Sequence, residues 1–189
     1  MKFAASIAIA LTGLCLAFNS AVASVSAGSV NELIPSAYRK IGKEYSVPPA
    51  ILYAIALTES ENFYKPKKIS RPWPWTINHK GKGLFFKTRA KAIAYAKSLI
   101  KRGEKNFDCC QMQVNWYWHN NRFSSIEQAF DPYTCMRAAA QIITEYKNKH
   151  GSYEVAVGKY HSPGNKQLQK AYKNRVMKKL RLILQGKRS

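Results

Sequence analysis

Glu59 closes an apolar run, A-I-L-Y-A-I-A-L-T-E-S from Ala50 to Ser60, and no charged residue occurs between Tyr45 and Thr58. A carboxyl at the end of a buried helix is costly to ionise, because desolvation disfavours the charged form and raises the pKa. A carboxyl that keeps its proton near neutral pH is suited to protonating a leaving oxygen, so Glu59 is the candidate catalytic residue. Other acids are scarce, ten Asp and Glu in all. Glu61, two residues on, would face another side of a helix. Asp108 and Asp131 remain as candidates for a second carboxylate. Each also has a structural reading, Asp108 as a loop hydrogen-bonder and Asp131 as the N-cap ahead of Pro132.

The elements that must position these groups are mostly helical. Val30 to Glu44 reads as a helix with Leu33, Ile34, Tyr38 and Ile41 on one side. Ser46, with Pro48 and Pro49 after it, is expected to cap the apolar helix that ends on Glu59. Lys65 to Pro74 is basic and proline-containing and cannot be helix throughout. Trp75 to Phe86 has two short apolar stretches around a Gly-containing turn and is expected to form a small hairpin. Thr88 then caps an amphipathic helix with Ala92, Ile93, Ala96, Leu99 and Ile100 on one face, and Gly103 lies just past its end. Asn106 to Phe123 is polar, aromatic and irregular. Helices are expected from Pro132 to about Lys149, stopped by Gly151, and from Ser152 to Tyr160; a turn over His161 to Asn165 leads to a strongly basic helix from Lys166 to Leu184.

The first 23 residues read as a secretory signal peptide, with cleavage after Ala27 nearly as suitable. Met1-Lys2 gives a positive start, Phe3 to Phe18 is apolar, and Ala21-Val22-Ala23 is a small-x-small site. Leu14 before Cys15 is not the small residue that lipidation needs. Residues 28–189 are read as one domain, with no transmembrane segment after cleavage. Lys plus Arg number 31 against 10 Asp plus Glu. Such a charge speaks of partners more than of fold. In an exported chain it favours anionic envelope polymers and membrane surfaces over nucleic acid. Export also predicts a disulfide among Cys109, Cys110 and Cys135. Adjacent cysteines rarely bridge each other, so Cys135 pairs with one of the other two, and the sequence leaves open which. The four histidines have no ligand spacing with the cysteines, so neither a metal nor another cofactor is expected.

Three stretches together carry a resemblance. An apolar helix ending in Glu59-Ser60, then Met112-Gln113 with Asn115 two residues later, then Val157-Gly158-Lys159-Tyr160-His161 before the last helix, resembles the soluble-lytic-transglycosylase (SLT) domain. This is the goose-type-lysozyme-like family that cuts bacterial peptidoglycan, and the likeness runs from about Leu33 to Asn174. R-P-W-P-W-T-I-N, Arg71 to Asn78, and Y-H-S-P-G-N, Tyr160 to Asn165, resemble more narrowly the transglycosylases of conjugative elements and type IV secretion or pilus systems. The resemblance implies a mainly α, lysozyme-like domain with a small β-hairpin insertion, located in the periplasm and needing no cofactor. It implies cleavage between N-acetylmuramic acid and N-acetylglucosamine with Glu59 as acid and then base. It makes Ser60, Gln113, Asn115, Tyr160 and His161 the substrate-binding candidates: Ser60 as a support for the surroundings of Glu59, the two amides lining the cleft, and Tyr160 bonding to the carboxyl or the sugar. Trp73, Trp75, Trp116 and Trp118 crowd two loop regions, and one or two are expected to meet glycan.

The pattern departs from the family at two positions. The family motif Gly-Leu-Met-Gln reads Cys110-Gln111-Met112-Gln113 here, and Cys135 stands where the family usually has Asn. A bridge between the two novelties would let them compensate. If the lost Gly served a special backbone angle, the alternative is a catalytically impaired domain that binds peptidoglycan or a secretion partner. A two-carboxylate hydrolase using Asp108 or Asp131, and a basic nucleic-acid-binding protein of a transfer system, are the remaining readings.

Overall fold

A computed structural model describes residues 32–65 and 69–187. The signal-peptide stretch, Cys15 and both cleavage sites lie outside these, as do Pro66 to Lys68. Helix dominates, accompanied by small antiparallel sheets.

The first helix, α1, spans Ser36–Glu44 and buries Tyr38, Ile41 and Gly42. The expected continuous helix from Val30 is interrupted at Pro35, whose ring and missing N–H are incompatible with a helix interior. Helix α2 spans Pro49–Ser60 and buries Leu52, Ala54, Ile55, Ala56, Leu57 and Ser60. Its expected cap, Ser46, is corrected. Pro48 takes the N-cap position without a side-chain bond, Pro49 sits in the first turn, and Ser46 lies earlier at φ +56°. The residue before a proline is driven to extended backbone, so helix cannot begin until the second proline, where a missing N–H is harmless.

Beyond Glu59 the chain turns into β structure. β1 (Glu61–Tyr64) pairs antiparallel with β2 (Ile69–Pro72), so the basic stretch after Lys65 contains a strand that the sequence pattern did not indicate. The expected hairpin is present as β3 (Thr76–His79) and β4 (Lys82–Phe85), in register Thr76 to Phe85. Its two-residue turn, Lys80-Gly81, has positive φ at both positions, the geometry that matches strand twist. Helix α3, Arg89–Lys101, begins at Thr88, whose side chain accepts from the Lys91 N–H.

The stretch read as irregular is more ordered than expected. β5 (Phe107–Cys109) pairs with β3, and β6 (Val114–Asn115) with β5, giving a sheet in the order β4-β3-β5-β6. Strands of three and two residues are too short to leave an alternating pattern. Two one-turn helices follow, α4 (Trp116–His119) and α5 (Ile126–Ala129).

Three helices complete the fold: α6, Pro132–His150; α7, Tyr153–His161; and α8, Lys166–Leu184. Asp131 caps α6 by accepting from the Thr134 N–H at 2.8 Å, and Gly151 ends it at φ +84°, a left-handed angle that costs glycine nothing. Helix α2 packs against α8, α6 against α7, and α7 against α8. The apolar helix that carries Glu59 is thus held between α1, the β1–β2 pair and the C-terminal helix α8.

Candidate functional site

Glu59 is the penultimate residue of α2 and opens into a cleft of about 690 Å³. Strand β5 contributes Asp108, strand β3 Asn78, and the 113–119 segment Gln113, Asn115, Trp118 and His119; Tyr146, Tyr160, His161 and Pro163 close the opposite side. A cleft of this volume suits an organic ligand, and its lining mixes aromatic faces with amides.

The Glu59 carboxyl has a hydroxyl donor that the sequence reading did not identify. Tyr172, on α8, is buried and donates its O–H to Glu59 Oε1 at 2.6 Å. Burial pushes the Glu59 pKa up to about 8; the Tyr172 bond and the Arg175 guanidinium pull it down, while the charge of Asp108 adds to the rise. Glu59 therefore holds its proton at neutral pH, as the apolar helix ahead of it predicts. The available signal for Tyr172 was a polar-tipped aromatic on the apolar stripe of α8, whose hydroxyl needs a partner once buried.

The expected partner, Tyr160, is engaged elsewhere. Its O–H donates to the Met112 carbonyl at 2.7 Å, although the ring lines the cleft. His161 also lines the cleft and lies flat on the Tyr172 ring, 4.5 Å between centroids and 3° from parallel. Burial, then the nearby Arg175 charge, lowers its pKa, so the imidazole is neutral near pH 7. Ser60 does not reach the cleft. It is buried, with Oγ 2.8 Å from the Gln111 carbonyl and 3.1 Å from that of Ala56. Consecutive helical residues face directions about 100° apart, so Ser60 fastens the end of α2 while Glu59 faces the cavity.

The turn from Cys110 to Gln113 lies behind the cleft and reaches it through Gln113. Cys110 adopts φ +65° and Gln113 φ +49°, both in the left-handed region. Cys110 therefore occupies a backbone position that favours glycine. Its sulfur is bonded to Cys135 on α6, which identifies Cys110 as the partner; Cys109 is a free, buried thiol donating to the Val114 carbonyl. The carbonyls of this turn hold Ser60 through Gln111, Tyr160 through Met112, and the Gln113 side chain through Cys110.

Of the two candidate second carboxylates, only Asp108 belongs to the cleft. Burial raises its pKa, opposed by a 2.8 Å bond from Asn115 Nδ2, which also donates to Asn106 Oδ1. Asn115 thus orients Asp108 and, through its oxygen, caps α4. Asp131 is occupied at the N-terminus of α6. Among the tryptophans, Trp118 lines the cleft and is 71 % exposed. Trp116 is stacked between Phe107 and Phe123, and Trp73 and Trp75 pack edge to face away from the cleft. Among the described residues no group of three or more His, Cys, Asp or Glu is placed to hold a metal ion. Comparison with protein-family models, curated proteins and solved structures finds no match.

Proposed function

We propose that this chain is a peptidoglycan lytic transglycosylase with a lysozyme-like domain, exported to the periplasm to open the wall for a conjugation, type IV secretion or pilus machine. The observation that carries the reading is Glu59: a carboxyl protonated at neutral pH, bonded by Tyr172, in an aromatic and amide-lined cleft. Glu59 gives its proton to the glycosidic oxygen as the bond from that oxygen to muramyl C1 breaks. The resulting carboxylate, stabilised by the Tyr172 hydroxyl, then takes the proton of the muramyl C6 hydroxyl. O6 attacks C1 and closes the 1,6-anhydro ring, so the proton returns to Glu59 and no water is consumed. Gln113 supplies an amide for sugar hydroxyls and N-acetyl groups, while Asn115, with its nitrogen committed to Asp108 and Asn106 and its oxygen to α4, holds Asp108 at the cleft wall. Trp118 offers an exposed aromatic face for a sugar ring.

The test is mass spectrometry of products from purified peptidoglycan, with the wild type beside Glu59→Gln. Muropeptides ending in 1,6-anhydromuramic acid, absent with the variant, are the expected outcome. Reducing ends would assign the chemistry to water, with Asp108 as the second carboxylate. Binding without any product from either protein would make the domain a wall binder.

A further inference from the structure

Phe63 on β1 and Phe85 on β4 are 56 % and 50 % exposed, and both line a shallow hollow of about 250 Å³ together with Trp73, Phe86 and Lys87. The hollow is rigidly built. The Trp73 backbone N–H donates to the Ser60 carbonyl at 2.9 Å and its indole N–H to the Phe86 carbonyl at 2.7 Å. Phenyl rings have no polar atom to offer water, so two of them half-exposed at one hollow make a surface that gains by being covered. The chain segment that builds the hollow carries charge of one sign. Between Glu61 and Glu104 the chain contains no Asp or Glu and twelve Lys or Arg. Lys65 and Lys87 are exposed, and the Arg71 guanidinium lies 5.6 Å from the Trp73 ring centroid.

The cover must therefore be apolar and negative together. A second copy of this chain, at net charge +21, would bring the wrong sign. The hollow is also shallow for an inserted helix. An anionic bilayer supplies acyl surface for the rings and acidic headgroups for the lysines at matching depths. We propose that this hairpin face docks on an anionic lipid surface, with Phe63 and Phe85 entering the headgroup boundary and Lys65 and Lys87, each two residues from one of these rings, meeting the headgroup charge.

The proposal is independent of the Glu59 reading, since none of these side chains lines the catalytic cleft. The experiment uses the chain from residue 28, which carries every described core residue from Ile34 to Ile183. It measures co-sedimentation with phosphatidylcholine vesicles with and without about 30 % phosphatidylglycerol. A second set of vesicles with brominated acyl chains, used with every protein in a Trp118→Phe background that removes the most exposed other indole, reports whether the tryptophan fluorescence at the hollow is quenched. The double variant Phe63→Ala/Phe85→Ala should bind anionic vesicles about a hundredfold more weakly, and Lys65→Ala/Lys87→Ala about tenfold more weakly. Quenching should be lost with the first pair. Lys166→Ala/Lys170→Ala, on α8, should change binding far less. Equal loss with both lysine pairs and none with the phenylalanine pair would overturn the proposal in favour of undirected charge attraction. It would also fail if vesicles were ignored while the phenylalanine pair abolished self-association, which would make a second copy the cover. All three variants alter exposed side chains, and an unchanged thermal midpoint verifies their folding.

Discussion

The behaviour of Glu59 follows from burial opposed by a few named neighbours, and those neighbours can be altered one at a time. Glu59 must be protonated to act as an acid, so turnover of purified peptidoglycan should fall as pH rises through about 8. Tyr172 favours the charged form by donating to it. Tyr172→Phe should therefore move this alkaline limb to higher pH, while lowering kcat about tenfold because the carboxylate left by proton transfer loses its donor. Asp108 acts oppositely: its negative charge holds the Glu59 proton on, so Asp108→Asn should move the limb to lower pH. Rate profiles across the neutral and alkaline range check both directions, and limbs that stay fixed would separate Glu59 from the titration. The same shift affects stability. A carboxyl whose pKa is 4.5 when unfolded and about 8 when folded contributes stability that is complete below 4.5 and lost as pH rises through 8. Glu59→Gln lacks that loss, so it should match wild type near pH 4 and exceed it by about 2 to 4 kcal/mol near pH 8 in denaturant titrations.

The Cys110–Gln113 turn performs at the level of an element what glycine does at a single residue. Cys110 holds φ +65° and is tied to Cys135, and the carbonyls of the turn anchor the end of α2, Tyr160 and Gln113. Removing the bridge in Cys110→Ala/Cys135→Ala should cost about 3 kcal/mol in chemical unfolding, the loop entropy of a 25-residue separation. Cys110→Gly/Cys135→Ala should recover about 1 kcal/mol of this, because glycine accepts the left-handed angle without a Cβ clash. A glycine variant no more stable than the alanine variant would deny the backbone argument. The angle at Cys110 was legible only conditionally, through the resemblance that sets a glycine at that position, whereas the Glu59 helix was legible outright from its long apolar run. The parts that escaped were set by long-range pairing. β5 and β6 exist because β3 offers an edge, and Asn106 to Phe123 carries no period that would reveal them. Tyr172 escaped for a similar reason: it lies 113 residues from Glu59, and only the packing of α8 on α2 brings the two together.

The whole molecule presents a strongly cationic surface, which the proposed function sets against an anionic polymer. The +21 charge would lose only Lys2 on cleavage of the expected signal peptide. Most of the basic side chains are exposed, and the described ion pairs engage only a minority of them. Long-range attraction of this kind raises the rate of encounter and is screened by salt, whereas the chemistry proposed for Glu59 would take place inside the cleft and be screened much less. Raising ionic strength from about 20 mM to about 300 mM should therefore lower the rate of wall solubilisation roughly tenfold at low substrate, and leave kcat at saturation nearly unchanged. A glycan fragment stripped of its carboxylates should show neither attraction nor salt dependence. If salt instead lowered kcat on both substrates, the charge would be acting inside the cleft, through Arg175 beside Tyr172, and the surface would be a solvated shell without a role in encounter.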